Sequence, residues 1–162
     1  EPAWKNWRKR MKAAVQGARS KVTPATGDIR LFARDARIQA KRMRYEAEPF
    51  KNVLGYWTER TDWAAWDFSV SLPGRYEVEV QVGCGAGSGG SMVRINVAGQ
   101  SLEWTVIETG HFQSMIQQTI GEVDLPAGPA TLEVRPQSKP GPAVMDLRRV
   151  VLRPVKNSSG KR

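Results

Sequence analysis

Three carboxylates have the residue type and placement that best suit a metal ion. Glu46 and Glu48 lie in one predicted strand, over residues 43–48, and Asp146 lies near the start of the last one, over residues 144–152. Carboxylate oxygens from separate strands are ligands that Ca²⁺ accepts readily. Glu46, Glu48 and Asp146 are therefore candidate Ca²⁺ ligands, although the residues by themselves favour the alternative that all three are solvent-facing charges.

The single histidine and the single cysteine give little basis for catalysis. A general base needs a partner nucleophile and an orienting group, and nothing in the sequence identifies either of them for His111. We interpret His111 as a loop residue that hydrogen-bonds locally or contacts a ligand. Cys84 has no cysteine partner for a disulfide, and a cysteine–histidine zinc site would need more ligands. We therefore expect a chain that is not an enzyme.

Aromatic residues are the other candidates for ligand binding, and six of them are tryptophans. An aromatic ring on the surface of a β-sandwich can stack on the apolar C–H face of a sugar. Burial in the core is the alternative for each tryptophan, and Trp63 and Trp66, three residues apart in a strand, lie on opposite faces. The candidates for sugar stacking are Tyr56, Trp57, Trp63 and Trp104.

Charge divides this chain of 162 residues into two parts. Residues 1–44 carry 13 Lys and Arg against three acidic residues, a net charge of +10, whereas residues 45–162 carry a net charge of −1. A basic arm can bind nucleic acid or an acidic protein surface. Because no nucleic-acid motif or row of stacking aromatics accompanies the charge, nucleic acid is not the expected partner. No apolar run is long enough to predict a membrane span.

The strands that must position these residues are organised around Trp63–Val70 and Arg75–Val82. The second run alternates apolar and polar residues, which is typical of a half-buried strand. Pro73 and Gly74 between the two runs indicate a tight turn, so we expect the runs to form a hairpin. Strands recurring with glycine and proline turns predict an antiparallel β-sandwich over residues 29–154, with a disordered tail at 155–162.

An amphipathic helix and a linker are predicted over residues 1–28. Trp4, Trp7 and Met11 recur at spacings of three and four, as on one face of a helix. Such a stripe needs a cover, either the sandwich or a preceding domain. Because the sequence begins without an initiator Met, we suspect a processed or excised fragment of a longer protein.

Several short sequence segments, taken in chain order, resemble segments of the carbohydrate-binding modules of families six and thirty-five, which are galactose-binding-like jelly rolls. The phrases are Tyr45-Glu46-Ala47-Glu48, Asp62-Trp63-Ala64-Ala65-Trp66-Asp67-Phe68, Pro73-Gly74-Arg75-Tyr76-Glu77-Val78, Leu125-Pro126-Ala127-Gly128 and Val144-Met145-Asp146-Leu147. The resemblance implies a structural Ca²⁺ held by Glu46 or Glu48 with Asp146. It also implies a sugar site in loops at one end of the sandwich, offering Tyr56, Trp57 and His111.

Other phrases resemble the C-terminal domain of exported bacterial sulfatases of the arylsulfatase type. They are Lys51-Asn52-Val53-Leu54-Gly55-Tyr56-Trp57-Thr58, Glu108-Thr109-Gly110-His111-Phe112-Gln113 and Lys139-Pro140-Gly141-Pro142-Ala143-Val144. The sulfatase nucleophile motif, Cys or Ser followed by x-Pro-x-Arg, is absent, because Cys84 is followed by Gly85-Ala86-Gly87. The resemblance implies an accessory domain of a secreted or periplasmic enzyme, which binds a glycan, possibly a sulfated polysaccharide.

Two functions therefore remain open at the level of the sequence. The first is a non-catalytic carbohydrate-binding module attached to a sulfatase or a related polysaccharide-degrading enzyme. The second is a structural domain that braces its own catalytic domain through the basic N-terminal helix, without binding sugar.

Overall fold

Alternating apolar side chains build the two inner faces of a β-sandwich, as the sequence predicts. The computed structural model describes residues 27–47 and 50–156. The predicted N-terminal helix, Glu48 and residues 157–162 lie outside the described residues. The strands are β1 (Ile29–Phe32), β2 (Arg37–Gln39), β3 (Arg44–Glu46), β4 (Val53–Gly55), β5 (Trp63–Val70), β6 (Gly74–Gly83), β7 (Met92–Val97), β8 (Gln100–Thr105), β9 (Ile116–Leu125), β10 (Gly128–Pro136) and β11 (Asp146–Pro154).

Two antiparallel sheets face each other across the core. The first has the order β3-β4-β11-β6-β9, and β1 also pairs with β11; the second has the order β2-β5-β10-β7-β8. Five of the connections cross from one sheet to the other at the same end, which gives the fold its jelly-roll-like character. The largest fully buried side chains include Trp57, Trp66 and Tyr76. No helix in the described part of the chain is long and apolar enough to cross a membrane.

The predicted hairpin of β5 and β6 is wrong, because the two strands belong to different sheets. β5 pairs with β2 and β10, whereas β6 pairs with β11 and β9. Residues 71–73 carry the chain across the sandwich instead of turning it back along one sheet. The alternating pattern shows that each strand has one buried face, but it does not show which neighbour the strand pairs with.

Tyr76 fixes this crossing between the sheets. Its ring is buried, and its hydroxyl donates a hydrogen bond to the backbone carbonyl of Leu72, four residues earlier. The chain leaves β5 at Val70, which is also buried, so the crossing is tied to the core at both of its ends. A tyrosine that bonds back to the preceding backbone serves the same purpose at the corners of other sandwiches.

We expect Tyr76→Phe to lower the free energy of unfolding by about 1–2 kcal/mol, because the part-buried hydrogen bond to the Leu72 carbonyl is lost while the ring stays packed. Urea unfolding at neutral pH measures the change. Tyr56→Phe is the control, since the ring of Tyr56 is 53% exposed. An equal loss of stability in both variants would contradict a specific role for the Tyr76 hydroxyl.

Candidate functional site

One end of the sandwich gathers most of the candidate binding residues. The register sets Gly83, at the end of β6, opposite Asp146, at the start of β11, and sets Trp63, at the start of β5, opposite Gln39. We call this the loop end, and it is built from the five loops that cross between the sheets. These loops span residues 40–43, 56–62, 84–91, 106–115 and 137–145.

Tyr56 is the most exposed aromatic residue at the loop end. Its ring is 53% exposed, and the guanidinium of Arg44 lies over the ring, 4.0 Å from the centroid. Tyr56 has a φ of 54°, in the left-handed region that residues other than glycine rarely adopt. Such strain costs free energy and tends to persist at functional positions. The structure therefore places Tyr56 in an exposed position at the loop end, and its role as a sugar contact stays a prediction.

Trp57 points into the core, which corrects its prediction as a stacking residue. Its side chain is fully buried, and its indole N–H donates to the backbone carbonyl of Asp62 at 3.0 Å. The carbonyl of Trp57 accepts a hydrogen bond from the Val144 N–H at 2.8 Å. Trp57 therefore joins two loops of the loop end and offers no face to a ligand.

Trp104 is also a core residue, so its prediction as a sugar contact needs the same correction. Its side chain faces inward from β8 beside Val93 and is 6% exposed. Trp66 is buried as well, and its indole N–H donates to the carbonyl of Phe32 at 2.7 Å. Trp63, on the opposite face of β5, is half-buried beneath the guanidinium of Arg135, 3.7 Å from the ring centroid.

His111 is exposed at the loop end, and local hydrogen bonds orient its ring. Its Nδ1 accepts from the backbone N–H of Gln113 at 3.0 Å, so in the neutral ring Nε2 carries the proton and acts as a donor. Its backbone carbonyl accepts from the Thr109 hydroxyl at 2.9 Å, and the same hydroxyl also bonds to the backbone of Cys84. Cys84 is buried, and burial is the first cause that raises the pKa of its thiol, followed by the nearby carboxylates of Glu108 and Asp146.

Tyr56 and His111 share the loop end but are separated by a buried series of contacts. Trp57, next to Tyr56, bonds to Val144, whose carbonyl lies 3.9 Å from the sulfur of Cys84. Cys84 in turn bonds to Thr109, two residues before His111. The structure thus fixes the two residues relative to each other through the interior rather than by direct contact.

Glu46 and Asp146 come together at the start of β11. Asp146 is 6% exposed, and the Glu46 side chain is 12% exposed. Burial, and to a smaller extent the neighbouring charge of Glu46, raise the pKa of Asp146 to about 7, while Lys51 acts in the opposite direction. Lys51 lies 3.3 Å from a carboxylate oxygen of Glu46. Ionisation of both shielded carboxylates beside this one cation would leave negative charge in excess.

Glu46 and Asp146 offer carboxylate oxygens, the ligand type that a hard cation such as Ca²⁺ accepts. A Cβ atom on Gly55 would stand 2.0 Å from Oε1 of Glu46, so the absence of a side chain at residue 55 is what gives the carboxylate its place. Glu48, the third predicted ligand, lies outside the described residues. Within the described residues, no group of three or more His, Cys, Asp or Glu side chains is arranged around a metal position.

Asp62 is an organising residue that the search for functional groups missed. Its side chain is buried, and its carboxylate accepts hydrogen bonds from three consecutive backbone N–H groups, those of Lys41, Arg42 and Met43, at 2.9, 3.1 and 3.0 Å. Burial alone would raise its pKa, but the three amides and the charge of Lys41 lower it by more. An aspartate directly before a strand tryptophan is the signal that could have identified it.

Comparison with known proteins identifies relatives by fold and not by sequence. No protein-family model matches the chain, and no curated protein matches it. A family 35 carbohydrate-binding module from Clostridium thermocellum superposes with a TM-score of 0.63 at 13% identity, over 77% of this chain and 98% of that one. A family 35 module from Cellvibrio japonicus has a TM-score of 0.61 at 12% identity, over 77% of this chain and 91% of that one.

Larger proteins contain the same fold as one part of their chain. An exo-β-1,3-galactanase from Phanerochaete chrysosporium, solved with β-1,3-galactotriose, matches with a TM-score of 0.61 at 15% identity. The match covers 77% of this chain and 29% of the galactanase. The fold and its loop end therefore define a β-sandwich of the jelly-roll-like type found in family 35 carbohydrate-binding modules.

We expect Asp62→Asn to lower the free energy of unfolding by about 2–4 kcal/mol, because an amide cannot accept from three backbone donors and brings an N–H₂ group among them. Denaturant unfolding at pH 7 measures this change. Glu103→Gln removes an exposed carboxylate that pairs with Arg94 at 2.6 Å, and it should leave stability close to that of the unsubstituted chain.

The pH dependence of stability gives a second measurement on the same variant. The folded-state pKa of Asp62 is lower than its unfolded value near 3.8. Its contribution is therefore fully present above that value and is lost as the pH falls through the folded pKa. The stability difference between the unsubstituted chain and Asp62→Asn should shrink in that acidic range, and a difference independent of pH would contradict the ionised form of Asp62.

Proposed function

We propose that this chain is a non-catalytic module that binds carbohydrate at its loop end, as an accessory part of a longer enzyme. The observation that carries the proposal is Tyr56, an exposed ring held on a strained backbone at the end of the sandwich. A ring of this kind supplies a flat apolar surface at a small cost in conformational entropy. The likeness of the fold to family 35 modules supports the same reading.

The contact between Arg44 and Tyr56 prepares the ring for a ligand. With the Arg44 guanidinium over one face of the ring, the side chain is restricted before a ligand arrives. The apolar C–H face of a sugar would stack on the exposed part of the ring. His111 would add a hydrogen bond through its Nε2–H, which is oriented by the bond from Gln113 to Nδ1.

We further propose that Glu46 and Asp146 hold a structural Ca²⁺, with Glu48 as a third ligand. Ca²⁺ takes six to eight oxygen ligands, so backbone carbonyls or waters would complete its coordination. When bound, the ion would neutralise the shielded carboxylates of β3 and β11, which are the two strands on either side of β4. The shielding of these two carboxyl groups beside a single lysine supports this proposal.

The parent enzyme and its location remain proposals that rest on sequence phrases. The resemblance to sulfatase accessory domains supports an exported sulfatase, and hence a secreted or periplasmic module for a possibly sulfated polysaccharide. The match to about 29% of a galactanase chain is compatible with such a modular arrangement. The alternative of a bracing domain depends on Trp4 and Trp7, which lie outside the described residues, and it stays a prediction from the sequence.

We expect Tyr56→Ala to weaken binding of neutral oligosaccharides by about 1–2 kcal/mol, which is roughly 5- to 30-fold in the dissociation constant. A glycan array identifies a ligand, and isothermal titration calorimetry measures the change. The midpoint of thermal unfolding should change little, because the ring is exposed.

Leu72→Ala is the matched control, since Leu72 is 44% exposed and lies in the connection at the opposite end of the sandwich. Its affinity for the same sugar should equal that of the unsubstituted chain. If no sugar binds the unsubstituted chain with or without Ca²⁺, or if Tyr56→Ala binds as well as it does, the proposed site is rejected.

We expect Ca²⁺ to raise the unfolding midpoint of the unsubstituted chain, since a ligand at about 100 times its Kd adds about 2.7 kcal/mol of stability. Asp146→Asn should abolish this shift. In the presence of a chelator the same variant should be no less stable than the unsubstituted chain, because it removes charge from a shielded carboxylate pair. A Ca²⁺ shift that persists in Asp146→Asn would locate the ion elsewhere.

A further inference from the structure

A cavity of about 210 Å³ opens on the flank of the sandwich, between the end of β1, the 3-10 turn at Ala33–Asp35, strands β3 and β11, and the residue that precedes β4. Neither Tyr56 nor His111 lines it, so it is separate from the site proposed at the loop end. Its wall combines guanidinium, aromatic and amide groups, and no carboxylate of the described residues belongs to it. The residues that matter for its chemistry are Phe32, Arg34, Tyr45, Asn52, Arg148 and Arg149.

A β-bulge brings two of the arginines to the same cavity. Arg148 and Arg149 are consecutive in β11, and regular alternation would send their side chains to opposite faces. The register shifts between Leu147 and Arg149, and both arginines line the cavity. At the same point the edge neighbour of β11 changes from β4, which pairs at Leu147, to β1, whose pairing begins at Arg149. Bulges of this kind commonly redirect side chains beside binding sites.

Of the three guanidinium groups, only that of Arg34 pairs with a carboxylate among the described residues. Arg148 donates from Nε and Nη2 to the carbonyls of Lys51 and Phe50, each at 3.1 Å, so uncharged groups fix its position. Arg149 makes no hydrogen bond or ion pair with another described residue. Arg34 lies 3.8 Å from the carboxylate of Asp35 and over the ring of Phe32, 4.9 Å from its centroid.

We propose that this cavity binds the anionic group of an acidic sugar, a sulfate ester or a carboxylate. Guanidinium groups bind both oxyanions through paired N–H···O bonds. Phe32 and Tyr45 offer apolar surface to the sugar ring, and the Tyr45 hydroxyl is bonded to Oδ1 of Asn52 at 2.8 Å. The cavity is smaller than the about 300–1,000 Å³ of pockets for drug-sized ligands, a size that suits a single sugar residue.

This inference extends the proposed function by naming the charge of the glycan, and it rests on that function only for the sugar part of the ligand. The basic N-terminal segment would attract any polyanion, so a polymer is a poor probe for the cavity. Monosaccharides that differ only in the anionic group separate the contribution of that group to binding from the contribution of the sugar ring.

The experiment titrates the full chain with galactose 6-sulfate, galacturonate and galactose, followed by isothermal titration calorimetry and by amide and guanidinium NMR shifts. We expect one or both acidic sugars to bind and galactose to bind at least tenfold more weakly at this site. Whichever acidic sugar binds with the higher affinity identifies the anionic group that the cavity prefers. Arg149→Gln should weaken acid binding at least tenfold, and Arg149→Lys, which keeps the charge but not the paired donors, should also weaken it.

Arg94→Gln is the control for loss of a positive charge, because Arg94 lies on the other sheet and pairs with Glu103 at 2.6 Å. Equal loss of binding in Arg94→Gln and Arg149→Gln would overturn the proposal, as would equal binding of galactose and its 6-sulfate. Binding of a thymidine oligonucleotide that Arg149→Gln abolishes, without binding of either acidic sugar, would assign the cavity to phosphate instead. Unchanged unfolding midpoints confirm that the variants are folded.

The same titrations separate this inference from the proposed function. If Tyr56→Ala leaves binding of galactose 6-sulfate intact while Arg149→Gln removes it, the proposed site in the cavity is supported independently of the result for sugar binding at the loop end. If neutral sugars bind through Tyr56 but no acidic sugar depends on Arg149, the proposed function stands and the cavity is rejected.

Discussion

The structure of the loop end depends on the hydrogen bonds that one buried anion, the carboxylate of Asp62, requires. Asp62 is 1% exposed, and a charge so placed is tolerated only because three consecutive backbone amides of residues 41–43 point at it. The same residue receives the indole N–H of Trp57 on its backbone carbonyl. Loops 40–43 and 56–62 therefore cannot move independently, and the backbone on which Tyr56 stands is fixed before any ligand binds.

The sequence predicts the β-sandwich well because its strands alternate, and the observed strands fall close to the predicted ones. It predicts strand pairing poorly. The alternation of apolar and polar residues within β5 and within β6 would be the same if the two strands paired in one sheet as it is with the strands in opposite sheets. Adjacent aromatics show a similar limit. Tyr56 and Trp57 are both plausible stacking residues in the sequence, but only the path of the chain beyond Gly55 decides that one is exposed and the other is fully buried.

The flank cavity could not have been predicted from periodicity, for a specific physical reason. A period of two places Arg148 and Arg149 on opposite faces, and only an irregularity in the ladder lets both of them line one cavity. The irregularity coincides with the change of edge strand from β4 to β1, which depends on pairing between distant parts of the chain. The raised pKa of Asp146 could not have been predicted from the sequence either, because it depends on burial that no local sequence pattern encodes.

Strand β4 connects these separate features, although it has only three residues. Asn52 before it and the tyrosine after it both adopt left-handed backbone, with φ values of 51° and 54°, so the chain turns sharply at each end. The first turn presents the carbonyls of residues 50 and 51 to Arg148, and the second exposes the ring of Tyr56. Between them, Gly55 leaves space for Glu46. For Tyr56 this backbone conformation costs about 1–2 kcal/mol, whereas Asn adopts it more readily, and the two turns together position all three candidate sites beside one short strand.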